Sequence, residues 1–193
     1  MTNFYLIVSG VLFSFFIVIV RFVIPSSTLL GQLPSTDIYV DLIHFKKAKE
    51  IPGVKIYQYS CCLFFMNRDH FKESLFQKTL RMSSDDLIEL IDRRRKSRGS
   101  SDEEEGILPH TIIIDCSTIS YIDSSGIETL TEIIKLLKEV NIHCFLSSAP
   151  TQVLIMFERT NFLDNFPNFC GLFPSIHDAV IRATSPNHVV GAP

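Results

Sequence analysis

The sequence predicts an α/β fold preceded by a single membrane-spanning helix, and three observations carry that prediction. The first is Thr111-Ile112-Ile113-Ile114, a β-branched run that closes on Asp115 and reads as a strand buried on both faces. The second is Asp123-Ser124-Ser125-Gly126, beyond which the apolar period lengthens: Ile127, Leu130, Ile133, Ile134, Leu137 and Val140 share one helical face. The third is FYLIVSGVLFSFFIVIV over residues 4–20, with no charged side chain before Arg21.

At about 1.5 Å per residue the apolar run covers roughly 26 Å, and with Phe22-Val23-Ile24 it suffices for a ~30 Å hydrocarbon core, Arg21 snorkelling. A cleaved leader would want a basic start and a small-residue cleavage site, and neither is present. A core helix would be striped, whereas this run is apolar all round. Arg21, Lys46, Lys47 and Lys49 follow the run, which places the C-terminal side in the cytosol. The absence of any Asn-x-Ser/Thr acceptor agrees, as do five cysteines (Cys61, Cys62, Cys116, Cys144, Cys170) without disulfide or metal spacing. Cys61-Cys62 is a redox candidate; the plainer reading of the cysteines is small buried hydrophobes.

Residues 1–24 are thus read as a transmembrane helix and 25–53 as a linker, whose start (PSSTLLGQLPSTDIY, 25–39) carries turn residues and two prolines. A folded domain over 54–183 and a flexible tail over 184–193 follow. Strands are expected over 54–59, after Gly53, and over 63–65. A helix is expected from 68 to about 82, with Phe71, Leu75, Phe76 and Leu80 inward. Asn141 stops the helix that begins at the Asp-Ser-Ser-Gly corner, and 143–147 forms the next strand. After Ser148-Ala149-Pro150 comes a helix with Val153, Leu154 and Phe157 on its apolar face. Residues 162–173 are expected to cover a sheet edge, and Ser175 to cap a last helix burying Ile176, Ala179 and Val180. Strands alternating with helices define the class.

Between 83 and 108 the pattern breaks. Residues 85–91 make a helical turn or two, and then Arg93-Arg94-Arg95-Lys96-Ser97-Arg98 runs into an acidic, Gly/Ser-containing stretch. A block so charged is read as a disordered insertion over about 92–107. It is either a solvated loop or a regulatory one: arginines before Ser97 suit a basophilic kinase, and acids after Ser100 and Ser101 an acidophilic one.

The corner also carries two readings. Asp123 and Ser124 have short oxygens for the first free N–H groups of the helix, and Gly126 admits a close neighbour. The same strand end, helix start and pair of hydroxyls, Ser124 and Ser125, make an anion-binding or phosphorylation site. No nucleophile–base–orienter set and no metal constellation is visible, so no enzyme and no cofactor is expected. A net charge of −3, with no basic face interleaved with aromatics, argues against nucleic acid. Mean hydropathy of +0.24 is high for a soluble domain, the excess lying at the start.

The succession I-I-I-D-C-S, Y-I-D-S-S-G and helix resembles the STAS domain, the module named for sulfate transporters and anti-sigma-factor antagonists. Upstream, Arg21, Pro25, Leu30-Gly31, Pro34, Thr36, Tyr39 and Asp41 resemble the segment that joins the last transmembrane helix to this domain in SulP-type anion transporters. Ala48-x-Glu50-x-Pro52-Gly53-Val54-Lys55-Ile56, Phe64-Phe65-x-Asn67 and Phe71 extend that resemblance. It implies a small central β-sheet with helices mainly on one side. It also implies the C-terminal part of a eukaryotic-type transporter of sulfate, chloride, bicarbonate or a related anion. The partners implied are the remaining transmembrane helices, a second copy in a homodimer, and regulatory proteins or kinases, in the plasma membrane with the domain cytosolic. In the soluble antagonists a hydroxyl of the corner is the phosphorylated switch, so the alternative is a stand-alone, membrane-tethered regulator.

Overall fold

Asp115 ends the strand on which every neighbouring element registers. The computed structural model describes residues 2–96, 108–167 and 169–185. Its elements run α1 Thr2–Val23, β1 Ser27–Gln32, β2 Tyr39–Asp41, β3 Val54–Tyr59, α2 Arg68–Thr79, α3 Ser84–Lys96, β4 Thr111–Asp115, α4 Ser124–Glu139, β5 His143–Ser147, α5 Thr151–Arg159, a 3-10 turn Leu163–Asn165, β6 Cys170–Phe173 and α6 Ile176–Thr184. They build one six-stranded sheet of order β2-β1-β3-β4-β5-β6. Strands β3 to β6 are mutually parallel, while β1 is antiparallel to both its neighbours. All five β4 residues are buried, as expected of a strand covered on both faces.

Side chains alternate between two cores. Tyr57, Tyr59, Ile112, Ile114, Cys144 and Leu146 face α2, α3, α4 and α5. Leu30, Val54, Ile56, Ile113 and Phe145 face Ala179, Val180 and Ala183 of α6. Four of the domain's helices therefore lie on one face and one on the other.

Several sequence expectations are corrected. Residues 25–53, read as a linker, carry β1 and β2, and Leu30 is buried in the α6-side core. Turn-rich composition hid them, but Thr28 Oγ1 donates to Asp41 Oδ1 at 2.7 Å and the β3 edge satisfies the β1 backbone. Residues 63–65 form no strand, only a bridge between Leu63 and Ile122. The charged insertion begins later than expected: Asp92 to Lys96 complete α3, whose Leu87 and Ile91 are buried, while 97–107 lie outside the described residues. Residues 162–173 do not cover the sheet edge; Cys170–Phe173 is that edge. Leu154, placed on the apolar face of α5, is exposed, and Val153 and Phe157 alone are buried there. The tail from 186 lies outside the described residues.

Helix α1 exposes large apolar side chains all round, Tyr5 at 68% and Phe15 at 64% among them. Among the described residues no helix is long and apolar enough to cross a membrane.

Register decides what lies where. Ser27 pairs with Tyr59, Gln58 with Asp115, and Asp115 with Ser147. The exit from α1 and the loops after β3, β4 and β5 therefore gather at one end of the sheet, outside the carboxyl ends of the parallel strands.

Candidate functional site

The β4–α4 connection is built from its first residue. Asp115 is buried, and its carboxylate accepts hydrogen bonds from the Ser117 N–H (3.1 Å), the Ser117 hydroxyl (2.7 Å) and Gln58 Nε2 (2.6 Å). Thr118 Oγ1 donates to the Tyr59 carbonyl at 2.7 Å, holding the turn against the end of β3. The bridge between Leu63 and Ile122 then lays the β3–α2 loop beside the start of α4.

Asp123 is the N-cap of α4: its Oδ1 accepts the Gly126 N–H at 2.7 Å, and its Oδ2 the Phe65 N–H at 3.1 Å. Its own N–H donates to the Leu63 carbonyl at 3.2 Å. Gly126 faces the same loop. A Cβ there would lie 2.7 Å from Ile122 Cγ1 and 2.9 Å from the Leu63 carbonyl oxygen, closer than carbon tolerates. The cap and the close approach expected of Asp123 and Gly126 are both present.

Ser124 and Ser125 are placed differently from the expectation. Among the described residues neither hydroxyl makes a hydrogen bond, so Asp123 alone caps and Ser124 does not. Ser124 is exposed and Ser125 half-buried. Their N–H groups are the two of the first turn left without an intrahelical acceptor. The structure thus brings Asp123, Ser124, Ser125 and Gly126 together, with the carboxylate and glycine engaged and the hydroxyls free. Ser97, Ser100 and Ser101 lie outside the described residues. The basic run before them begins as the last turn of α3, where Arg93 pairs with Glu89 (2.7 Å) and Arg95 with Glu139 of α4 (3.0 Å).

One residue of the corner had no role assigned from the sequence. Asn67 is fully buried; its Oδ1 accepts the Phe64 N–H at 3.1 Å, and its Nδ2 donates to the Cys62 carbonyl at 2.8 Å. Its signals in the sequence were its place in the Phe64-Phe65-x-Asn67 motif and a polar side chain just ahead of a helix. Around the corner Phe65 (65% exposed) and Tyr121 (56% exposed) form an aromatic rim, and Lys72 of α2 pairs with Glu132 of α4 at 2.6 Å.

Burial pushes the thiols of Cys116, Cys144 and Cys170 up, the last to about 12, which keeps them protonated and unreactive. Burial, then the charge of Cys62, raises Cys61 as well. Among the described residues no three His, Cys, Asp or Glu side chains gather to hold a metal. The corner can present an exposed hydroxyl at a helix N-terminus and a rigid aromatic-rimmed surface.

Residues 46–179 match the family described as the STAS domain. Prestin of Mus musculus is 26% identical over 92% of this chain and 30% of its own length. The sulfate transporter of Equus caballus is 30% identical over 90% of this chain and 25% of its own. The structure of the murine Solute Carrier 26 family member A9 anion transporter, in the inward-facing state, superposes with a TM-score of 0.68 at 29% identity. That match covers 93% of this chain and 25% of the transporter. The chain therefore spans less than a third of the length of each of these relatives.

Proposed function

The chain belongs to the STAS domain family, and from that premise we propose that it is the C-terminal, membrane-anchored part of a SulP-type anion transporter, with a regulatory, dimerising and trafficking role. The single observation that carries this reading is the extent of the matches. They cover 90% or more of the chain in prestin, the sulfate transporter and the A9 anion transporter. In this reading α1 is the last transmembrane helix, and its all-round apolar surface meets lipid and the helices of the rest of the transporter. The domain lies in the cytosol, most simply beneath the plasma membrane. The cargo class is sulfate, chloride, bicarbonate or a related anion.

The corner then serves chiefly as a rigid joint. Asp123, Gly126 and Asn67 fix the loops at the end of the sheet from which α1 departs, and in this reading the exposed Phe65 and Tyr121 are the surface offered to the transport unit. A second reading, a phosphorylation-switched stand-alone regulator, is favoured by one observation: the Ser124 hydroxyl is exposed and uncommitted.

The test is a graft. Residues 25–185 replace the matching segment of a sulfate transporter, and sulfate uptake and surface delivery are compared with a version lacking the segment. Restored uptake supports the transporter reading. Uptake no better than the deletion, with Ser124 phosphorylated in cells, would favour the regulator.

A further inference from the structure

Where α1 meets the sheet, a cavity of about 440 Å³ opens between Arg21, Ile24, Pro25, Ser26, Ser60 and Cys61. The last turn of α1 is prolonged by the Ile24 N–H donating to the Val20 carbonyl at 3.0 Å, and Pro25 ends it. The Ser60 N–H donates to the Ser26 carbonyl at 3.0 Å, which fixes one wall of the cavity to the other. Two independent facts point to its ligand.

The first is the donor set. Arg21, Ser26 and Ser60 line the cavity, and among the described residues neither the Arg21 guanidinium nor either hydroxyl has a hydrogen-bond or ion-pair partner. Among the described residues no carboxylate lines it. Behind it, Lys78 Nζ donates to the Ser27 carbonyl, and His70 Nε2 lies 3.4 Å from the Pro25 carbonyl. Lys78 feels the negative charge of Asp41, whose oxygens are taken by Thr28, the Ile43 N–H and His44. Arg21, a cation with no ion-pair partner among the described residues, together with two hydroxyls suits an anionic oxygen.

The second is position. Ile24, Pro25 and the Cys61 thiol make up the rest of the lining, and the cavity sits where the uncharged run of α1 gives way to Arg21. That is headgroup depth for a helix immersed in hydrocarbon.

We propose that this cavity binds the anionic headgroup of an acidic phospholipid, with Arg21 as the charged partner and Ser26 and Ser60 as hydroxyl donors. The inference rests on α1 lying in the membrane, as in the function proposed above. A lipid held there couples the orientation of the STAS domain to the leaflet beneath which it hangs.

The test uses the whole chain in nanodiscs of phosphatidylcholine, with or without phosphatidylserine, and native mass spectrometry of the lipid that stays bound after extraction. The wild type is expected to retain phosphatidylserine in preference. Arg21→Gln should weaken that preference about tenfold, since a charge-assisted hydrogen bond is lost. Arg21→Lys should keep most of it, and Ser26→Ala with Ser60→Ala should fall between. Lys46→Gln with Lys47→Gln removes surface charge away from the cavity and should change nothing. Equal retention by wild type and Arg21→Gln, or an equal loss in the lysine pair, would overturn the site. Inorganic phosphate titrated against the chain in pure phosphatidylcholine distinguishes a free anion. An Arg21-dependent rise in unfolding temperature there, without phosphatidylserine selection, would overturn the lipid as its source. Alkaline extraction separates the two layers of inference. Release of the wild-type chain from membranes overturns the anchored reading itself, whereas retention with no lipid preference overturns the headgroup site alone.

Discussion

Asp123 reaches out of its own helix to Phe65: Oδ2 accepts the Phe65 N–H at 3.1 Å while Oδ1 accepts the Gly126 N–H at 2.7 Å. One carboxylate thus caps α4 and pins the β3–α2 loop. Asp123→Ala should cost about 1–2 kcal/mol, the range of a lost cap, and Asp123→Asn less, because one acceptor oxygen remains. Denaturant unfolding of the chain measures both. An alanine variant with an unchanged midpoint would show that neither bond contributes.

Gly126→Ala gives a contest of signs. In an exposed helix the change would stabilise by up to about 1 kcal/mol. Here the new Cβ meets Ile122 Cγ1 at 2.7 Å and the Leu63 carbonyl oxygen at 2.9 Å, and the second of these is backbone held by the bridge to Ile122. Overpacking of this kind costs about 1–3 kcal/mol, so the alanine should destabilise, and valine more. A stabilised Gly126→Ala protein would mean that the loop yields freely.

Ser124→Ala and Ser125→Ala should each move stability by no more than about 0.5 kcal/mol, because neither hydroxyl is bonded among the described residues. Unfolding midpoints test this directly. A cost of a cap's size at Ser124 would place its hydroxyl on the helix N-terminus after all. Small costs combined with altered surface delivery of the grafted transporter would give the hydroxyls a regulatory role.

What could be read from the sequence follows from where burial comes from. In β4 and α4 the burial is local: Thr111–Asp115 is buried throughout, and α4 repeats its apolar face at helical spacing. Asp123 and Gly126 were legible for a similar reason, since a cap and a close approach are short-range demands. Strand β1 was not: in Ser-Thr-Leu-Leu-Gly-Gln the order comes from the β3 edge, a partner distant in sequence. Residues 63–65 misled in the other direction, as Phe65 is apolar yet exposed on the rim. The role of Asn67 was hidden because its bonds to the Phe64 N–H and the Cys62 carbonyl join backbone groups of an irregular loop, which no periodicity announces. The free state of the Ser124 and Ser125 hydroxyls could be known only once Asp123 was seen to take the cap.

Asp41 sets an acid limit at the β1–β2 edge. Its carboxyl is lowered to about 2, chiefly by the Thr28 hydroxyl (2.7 Å), with the Ile43 N–H (2.8 Å) next. Because the folded value lies below the unfolded value of about 3.9, the stabilisation is complete above roughly pH 4. It fades as pH falls toward 2. Asp41→Asn should flatten the decline of stability across that window, and Thr28→Val should do the same by removing the leading donor. Parallel acid-unfolding curves for wild type and Asp41→Asn would rule out this linkage.

The last expectation concerns transport by this chain on its own, and it is that none occurs. An anion crossing hydrocarbon must be shielded from lipid by several packed segments, since each unsatisfied polar group costs several kcal/mol there. In transporters built from repeats, the anion meets the N-termini of broken helices near the midplane. Helix α1 has no proline and no charge before Arg21, and its breaks are confined to Ser9, Gly10 and Ser14; Ser9 already spends its hydroxyl on the Leu6 carbonyl at 3.0 Å. Two copies would bring together two such helices, still too few to surround a hydrated ion. The domain cannot supply the missing wall: its described helices after α1 run at most 16 residues, and each sets a buried face against the sheet or a neighbouring helix. Radiolabelled sulfate, chloride and bicarbonate fluxes are therefore expected to match empty vesicles when only this chain is reconstituted. They should rise when it is joined to the transmembrane part of a sulfate transporter. Flux above background from the chain alone, for any of the three anions, would mean that its one apolar helix assembles into a conducting bundle, and the reading of it as the regulatory end of a transporter would fall.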